Sequence, residues 1–552
     1  MTTTTQHPLR WLVAAPLSQP PSGRLLDITD ALEQLGFTAT VDLGPALGAA
    51  GPLAATIAFP RLRAFSITAV IAATPPLAEL AALSERLNAP PSKRPAPAEL
   101  LAAVARVAGE GPLHAELAAL FAPAPATPTP AAPAPSTSSA SSASDAATGA
   151  SLVDDLLDQP VHIAPAPTRT DRPTAIIDAI VRSNTPAPAP RDTSANRAAR
   201  DRLDTALAAA ARAALADPAV VARESLWRAL KLLHEQAPRA PGPRVSVIDI
   251  GAQDLPEVLA RLAEEAAMDL PDAVFVAEPL ASLELLPELA ARAADLLVPV
   301  VLTVTPQALG AADLGALQDL PDAPTQIPEV WTTLRADEDS RWLAAAVNPV
   351  ALVSEGIGAA RRVVFGSPAL ALATLLSASH RDNGGLASLA RVGVVHAPAV
   401  WEPAAGPDAG MSIPTERFAS LRIQGRLSML GLTAIGSPRG GDSLVVAACP
   451  VLRASDDAGS LPAQILTGRI VRFATTTRDQ LTAGSTPAEV ENLFTRAAGV
   501  VLFPDLTPEL ASLVARVDDS RTSVELHAIV HPAIAGLRLE IQFALPIKVD
   551  LG

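Results

Sequence analysis

Between Val245 and Thr305, short apolar segments alternate with helical patterns, and this alternation limits the folds open to the chain. The apolar segments have the length of strands, and the segments between them have the length and periodicity of helices. We predict strands and helices in turn at residues 245–250, 255–267, 273–276, 281–297 and 298–305. Strands joined by helices form βαβ units, whose strands lie parallel in one sheet. The sequence therefore predicts an α/β fold, α+β in parts, with a mostly parallel core sheet.

An amphipathic helix is predicted just before this region, with Asp217 as its N-cap and Pro218 in its first turn. A further helix, beginning near Asn196, is predicted to precede it. The apolar positions of the amphipathic helix recur every three or four residues, which places them on one face. The predicted stripe is Ala219, Ala222, Leu226, Leu230 and Leu233, with Trp227 beside it.

A linker divides the chain at residues 122–150, where Ala, Pro and Ser predominate. Alternating Ala-Pro favours an extended, semi-stiff chain, and the Ser/Ala part is flexible, so this segment has no core to bury. Residues 8–121 are predicted to form a compact domain of their own before it. Strands are predicted there at 11–15, 54–59 and 65–73, and helices at 28–35, 77–87 and 99–107.

Two short helical patterns follow the linker, SLVDDLLD and TAIIDAIVRS, with the same spacing of apolar pairs. Helices this short are unstable alone in water, so each is predicted to dock on a surface. That surface is either the chain's own body or a groove on a partner. Residues 151–195 are therefore interpreted as docking helices and linker, and Leu156 is a docking residue by its periodicity.

Composition excludes several classes of partner. The net charge is −15, and no basic run is interleaved with aromatic residues, so we expect no nucleic acid. One cysteine, Cys449, excludes an intrachain disulfide framework and suits a reducing compartment. No uninterrupted apolar run approaches the roughly 20 residues of a membrane helix, so we expect no direct membrane insertion. We expect a cytoplasmic location.

No catalytic constellation is recognisable in the sequence. The eight histidines have no metal-binding spacing, no Walker A sequence is present, and Cys449 lies in an apolar run typical of a buried side chain. Gly356-Ile357-Gly358 lacks the third glycine of a dinucleotide motif, and the segment 437–442 is predicted to be a turn that could hold an anion. We predict no catalytic residues, no cofactor and no metal. An enzyme on a doubly wound domain remains an alternative.

Several motifs resemble the large subunit of the type VI secretion contractile sheath. Glu224-x-x-Trp227-Arg228 before a strand is similar to a motif of that family, although Ala229 stands where the family has glycine. Further residues match family motifs in the same order along the chain: Trp331, Arg335, Pro414, Thr415, Glu416, Arg472 and Phe473. A terminal pair of strands, 524–530 and 537–545, completes the match. The family's Arg-x-Pro-Tyr-Gly motif is missing, and the chain contains no tyrosine.

The first domain resembles, more loosely, the small subunit of the same sheath. Phe59, Leu62 and Phe65 hold places similar to those of its extended segment, but Ala64 replaces an aspartate. The resemblance thus implies a fusion protein: a small-subunit-like domain at 8–121, the linker at 122–150, and docking helices at 151–195. A large-subunit-like core domain at 196–410 and a C-terminal domain at 411–552 follow.

The resemblance implies a structural protomer of a contractile injection system, active in protein secretion and not an enzyme. Such protomers self-associate into six-fold rings and filaments around an inner tube hexamer, on a baseplate. Neighbouring protomers exchange β-strands, and contraction drives the tube. The terminal strand is the implied donor, with side chains Leu537, Leu539, Ile541, Phe543 and Leu545. An AAA+ disassembly ATPase is the implied partner of the first docking helix, at Ser151, Leu152, Asp154 and Leu156. A non-contractile adaptor or capping paralogue is the alternative.

Overall fold

The computed structural model describes residues 8–90, 93–122, 190–236, 242–356, 361–455, 459–504 and 506–549. These residues fall into two compact units. Unit 1 is formed by the chain parts Met1–Leu43, Ala54–Thr74 and Ala211–Gly552, and unit 2 by Gly44–Leu53 and Pro75–Ala210.

The strands all belong to unit 1. They are β1 (Arg10–Ala15), β2 (Leu25–Asp27), β3 (Phe37–Asp42), β4 (Ala54–Phe59), β5 (Arg244–Asp249), β6 (Ala273–Pro279), β7 (Val300–Thr303), β8 (Leu343–Val347), β9 (Val350–Glu355), β10 (Arg362–Gly366), β11 (Leu432–Ala434), β12 (Ala511–Val517), β13 (Ser523–Val530) and β14 (Leu539–Pro546).

The α-helices are distributed over both units. They are α1 (Ile28–Gln34), α2 (Gly44–Leu47), α3 (Ile67–Ala73), α4 (Pro75–Leu87), α5 (Pro97–Ala108), α6 (Pro112–Phe121), α7 (Pro190–Ala216), α8 (Pro218–Gln236), α9 (Leu255–Leu262), α10 (Leu286–Leu296), α11 (Leu314–Leu317), α12 (Glu329–Ala336), α13 (Pro368–Asn383), α14 (Leu421–Ser428), α15 (Leu461–Asp479), α16 (Pro487–Val501) and α17 (Pro532–Ala535).

Unit 1 is built on a seven-stranded sheet with the order β11-β8-β7-β6-β1-β5-β2. Six of these strands are parallel, and the edge strand β2 is antiparallel to β5. Helices α9 and α10 connect successive parallel strands, and their apolar faces join the core under the sheet. The predicted α/β class and the mostly parallel core sheet are therefore confirmed.

The first strand lies in the middle of this sheet. Val13 on β1 is opposite Val247 of β5 on one side and Phe275 of β6 on the other. Five of the six side chains of β1 are buried. The sequence prediction placed residues 8–121 in a separate domain, whereas the structure places β1 and β2 in a sheet with strands that follow residue 243. Local sequence specifies that β1 is a strand, but its neighbours are set by contacts more than 200 residues away.

One local prediction in the N-terminal part differs from the structure, and two strands there were not predicted. Residues 65–73 were predicted as a strand, but Ile67–Ala73 is helix α3, with the Ser66 hydroxyl accepting a hydrogen bond from the Ala69 amide. A local N-cap has outweighed β-propensity here. The extended segment β3 and the edge strand β2 were not predicted.

The buried face of α8 also differs from the predicted stripe. Ala219 and Ala222 are exposed, while Arg223, Glu224 and Trp227 are buried. The predicted N-cap is confirmed, because the Asp217 carboxylate accepts from the Ala219 and Val220 amides at 3.0 and 3.3 Å. A pattern of apolar residues could not locate a face that is partly formed by a buried ion pair.

The C-terminal part of unit 1 contains a three-stranded antiparallel sheet with the order β12-β13-β14. The predicted terminal pair of strands is confirmed as β13 and β14, in register from Ser523 opposite Pro546 to Val530 opposite Leu539. Strand β12 was not predicted. One face of this sheet packs on α15 and α16 around Phe473 and Phe494.

Unit 2 is helical. Helices α4, α5 and α6 belong to it, together with α2 and the residues of α7 up to Ala210. The Ser84 hydroxyl donates a hydrogen bond to Asp204, and Arg202 forms an ion pair with Glu116, so α7 is fixed to α4 and α6. In the described part of the chain no single helix has the length and apolar character of a membrane span, although two bent helix pairs do by length and composition alone.

We predict that residues 190–552 expressed alone lack a stable fold, because β5 and β6 lose the strand between them. Co-expression with residues 1–122 should restore a soluble complex that co-purifies. The measurement is soluble yield and co-purification on a tag carried by one fragment.

The matched control is Val13→Pro in the short fragment, which removes one ladder donor from the centre of β1 and should abolish co-purification. A soluble, cooperatively unfolding 190–552 fragment would contradict the central position of β1.

Candidate functional site

The Glu224 motif forms a buried ion cluster. Glu224 is fully buried in α8, and its carboxylate accepts from Arg228 Nε at 2.9 Å and from Arg362 on β10. Because a buried carboxylate without cations is very costly, these arginines keep α8 and β10 together. The motif therefore has a structural role in unit 1.

Trp227 of the same motif contacts the N-terminal part of the chain. Its ring meets the edge of Phe65 at a centroid distance of 6.0 Å, and Phe65 stacks on Phe59 at 4.7 Å. Arg223, one turn before, lies over the Phe37 ring at 5.4 Å and donates to the Pro16 carbonyl at 3.0 Å. The two sequence motifs that suggested separate subunits thus meet in one aromatic cluster.

Arg472 takes part in a second buried cluster, around Asp272 at the start of β6. Asp272 accepts from Arg472 Nη2 and from Arg469 Nη1, both at 2.7 Å, and from the Arg10 amide at 2.9 Å. All three charged side chains are almost completely buried. One carboxylate therefore joins β1, the central sheet and helix α15.

Helix α15 approaches the C-terminal end of helix α10 very closely at Gly468. A Cβ placed there would lie 2.1 Å from the Leu297 carbonyl oxygen, which also accepts from Arg472 Nη1 at 2.5 Å. Phe473, the next residue of the family motif, is buried in the core under the C-terminal sheet. Helix α15 thus joins the seven-stranded sheet of unit 1 to its three-stranded C-terminal sheet.

Two further motif residues, Trp331 and Arg335, bind backbone carbonyls of segments beside the central sheet. The buried Trp331 ring donates from Nε1 to the Leu430 carbonyl at 3.1 Å, and Arg335 Nε donates to the Leu452 carbonyl at 2.9 Å. Burial lowers the pKa of Arg335 below its ordinary value.

Pro414, Thr415 and Glu416 form a short segment beside β9. The Pro414 carbonyl accepts from the Ala351 amide at 2.8 Å, and the Glu416 amide donates to the Pro349 carbonyl at 2.8 Å. The Thr415 hydroxyl donates to the Arg417 carbonyl at 2.7 Å. These three residues also serve the fold.

The predicted strand-exchange residues lie on the edge strand of the C-terminal sheet. Leu539, Ile541, Phe543 and Leu545 project from β14 onto the apolar core and are only half-buried, and Leu537 lies just before the strand. In contrast, the inward side chains of β13 are completely buried. Strand β14 is paired with β13 of its own chain on one side, and within the described residues no strand pairs with its other edge.

The carboxyl ends of the parallel strands are the usual place for a ligand in an α/β sheet. Here Asp249 at the end of β5 accepts from the amides of Leu17, Ser18 and Ser22, at 2.6, 3.1 and 2.9 Å. Burial raises the pKa of Asp249, but the Ser18 and Ser22 donors outweigh it, so the pKa lies below its ordinary value. The Asp249 carboxylate is therefore hydrogen-bonded by amides of its own chain.

Cys449 is buried, as predicted from its apolar surroundings, and burial raises its pKa to about 12. A thiol of this pKa has almost no reactive thiolate at neutral pH. Among the described residues, no group of three or more His, Cys, Asp or Glu side chains could hold a metal ion. The segment 437–442 lies between Gly436 and Val445, which form an antiparallel bridge. The chain therefore turns back on itself there.

The predicted ATPase-docking residues Ser151, Leu152, Asp154 and Leu156 lie outside the residues that the structure describes. Sequence analysis also missed two side chains that organise unit 1, Asp249 and Asp272. The available signal was a single acidic residue at the end or start of an otherwise apolar strand, where an unpaired charge would be costly.

Comparisons with solved structures return sheath proteins of contractile particles. A sheath tail protein from Desulfitobacterium hafniense aligns with 54% of this chain at a TM-score of 0.32 and 11% identity, and the chain spans 60% of that protein. The sheath complex of an extracellular contractile injection system in its contracted state aligns at a TM-score of 0.32 and 10% identity. The alignment covers 59% of this chain and 77% of that chain.

The contracted helical sheath of the anti-feeding prophage gives a TM-score of 0.31 and 13% identity, over 58% of this chain and 78% of the other. Scores this low do not establish a shared fold. No protein-family model matches the chain, and no curated protein matches it.

We predict that Asp272→Asn destabilises the protein by about 3–5 kcal/mol, because two buried guanidinium groups lose their carboxylate. The control is Asp269→Asn, which removes an exposed ion pair with Arg10 at 3.0 Å and should change the free energy of unfolding by less than about 1 kcal/mol. Urea unfolding of both variants measures the difference. Equal effects would contradict the role given to Asp272.

Gly468→Ala should destabilise the protein by roughly 1–3 kcal/mol, because the new methyl group meets the Leu297 carbonyl. Gly499→Ala is the matched control in α16, where a Cβ would meet no atom within 4 Å. It should stabilise the protein by about 0.5–1 kcal/mol through helix propensity. Thermal unfolding of the pair decides whether α15 packs as described.

Proposed function

We propose that this chain is a structural protomer of a contractile sheath, in which copies associate through the C-terminal sheet. The observation that carries this proposal is β14, an edge strand with half-buried Leu539, Ile541, Phe543 and Leu545. An exposed strand edge with apolar side chains favours pairing with another chain. The sequence motifs similar to sheath subunits support it independently.

Strand exchange is the proposed linkage. In it, β14 leaves β13 of its own chain and pairs with β13 of a neighbour, keeping the same register. Main-chain hydrogen bonds of such a ladder persist when the joined bodies rotate, so neighbours can change their packing without separating. The Asp272 cluster and α15 suit this role, because they join the seven-stranded sheet of unit 1 to the three-stranded C-terminal sheet and can transmit force between them.

The finer assignment extends the proposal to a type VI secretion-like sheath. In this assignment the partners are an inner tube hexamer, a baseplate and an AAA+ ATPase that binds near Ser151 and disassembles the sheath. The location is cytoplasmic. The assignment also includes the small-subunit-like and large-subunit-like fusion. This rests on the motif order in the sequence, with Ala229 and the missing Tyr-Gly motif as departures.

A non-contractile adaptor is the second candidate. It is favoured by the pairing of β14 within its own chain, which gives a protomer that is closed as an isolated molecule. Negative-stain microscopy of the purified protein separates the two. Long tubes support a sheath, whereas discrete rings or monomers support an adaptor.

We predict that a disulfide between Glu525→Cys and Ala544→Cys prevents assembly by locking β14 in its own chain. These residues are direct partners across β13 and β14 on the exposed side, and directly opposite residues of antiparallel strands are generally near enough for a disulfide. Buried Cys449 should not compete. Tubes or rings should be absent under oxidising conditions and present after reduction.

The matched control pairs Arg516→Cys with Glu525→Cys, which lock β12 to β13 and leave β14 free. This variant should assemble whether oxidised or reduced. Assembly of the β14-locked protein to the same extent would show that strand exchange is not the linkage.

A further inference from the structure

The residues after β14 bind back to the body of unit 1. The Ile547 amide donates to the Thr522 carbonyl at 2.7 Å, at the turn before β13. Lys548 Nζ lies 2.9 Å from Asp479 Oδ1 at the end of α15. Ile547 and Val549 are half-buried against the core under the sheet. We call Ile547, Lys548 and Val549 the C-terminal latch.

Asp479 receives more than one cation. Arg478 donates to the same oxygen from Nε at 2.9 Å and from Nη2 at 2.8 Å. The hydrogen bond from Lys548 is the main reason that the pKa of Asp479 lies below its ordinary value. The carboxylate is therefore ionised and available to hold Lys548 at neutral pH.

The connection before β14 is the segment that must change conformation if the strand leaves its own sheet. Gly536 follows the short helix α17 with φ +82°, a conformation that favours glycine. Only Leu537 and Arg538 separate it from β14. Strand and latch thus lie on the same side of this connection, so β14 cannot leave while the latch stays bound.

We propose that the C-terminal latch sets the rate at which β14 is released for exchange, an inference that rests on the strand exchange proposed above. An exchanged strand makes the same contacts on a neighbour, the latch contacts included, so the latch does not change the final amount of exchange. The latch contacts must nevertheless break before β14 leaves. They therefore slow opening and keep newly made protomers closed.

The experiment mixes two proteins that each carry one added cysteine beside buried Cys449, Glu525→Cys and Ala544→Cys, and follows the interchain disulfide between residues 525 and 544 under mild oxidation. Neither protein can form it alone across this pair. The rate of its appearance reports release of β14 and pairing with another chain. The same mixture is prepared in three further backgrounds: truncation after Pro546, Lys548→Gln and Arg538→Gln.

Truncation should raise the rate about tenfold or more, because a hydrogen bond and two half-buried side chains are lost. Lys548→Gln should raise it about 1.5- to 5-fold, the effect of one exposed ion pair. Arg538→Gln is the matched control. It breaks an exposed pair with Glu540 that moves with the strand, so the rate should not change.

Equal rates in the truncated and full-length proteins would overturn the latch while leaving strand exchange in place. Absence of the interchain disulfide in every background would overturn both proposals. A lower endpoint in the truncated protein, at an unchanged rate, would also contradict the latch, because it would show an effect on the exchanged state alone.

Discussion

The structure of unit 1 depends on the position of β1 between β5 and β6. Main-chain ladders on both sides of this strand join the N-terminal part of the chain to the part beyond residue 243. The buried side chains of Trp11, Leu12 and Val13 add the apolar contribution, about 1.5–3 kcal/mol for each large side chain. Without β1 the central sheet would consist of two separate pieces.

The other contacts reinforce this arrangement. Asp272 accepts from the Arg10 amide as β1 begins, and Asp249 holds the amides of the loop as β1 ends. Both carboxylates are buried and fully supplied with donors, which makes each of them a specific link and not an open site. Through Arg469 and Arg472, Asp272 also connects α15, and with it the C-terminal sheet. Motifs that look functional in the sequence therefore hold the parts of unit 1 together.

Features that depend on residues close together in the sequence could be predicted, and features that depend on contacts between distant residues could not. The alternation between Val245 and Thr305 and the terminal pair of strands are local patterns, and both were predicted correctly. The place of β1 in the sheet was not, because nothing in residues 10–15 specifies its neighbours. The buried face of α8 was misjudged because Arg223 and Glu224 are buried as charged side chains, against the usual pattern.

The candidate site was predictable in part for the same reason. The alternating Leu539, Ile541, Phe543 and Leu545 identify a strand with one apolar face, and the structure places that face on the core. Strand β14 is an edge strand because, among the described strands, it pairs only with β13, which lies between β14 and β12. The sequence did not predict β12, so this arrangement could not be foreseen. The latch could not have been recognised either, because Lys548 and Asp479 are far apart in sequence.

Cryo-electron microscopy of assemblies of the purified full-length chain tests the central claim most directly. The account predicts a repeating tube in which residues 539–546 of one copy complete the β12–β13 sheet of its neighbour. A protein that remains monomeric at all concentrations, or assemblies in which every C-terminal sheet is closed within one chain, would contradict it.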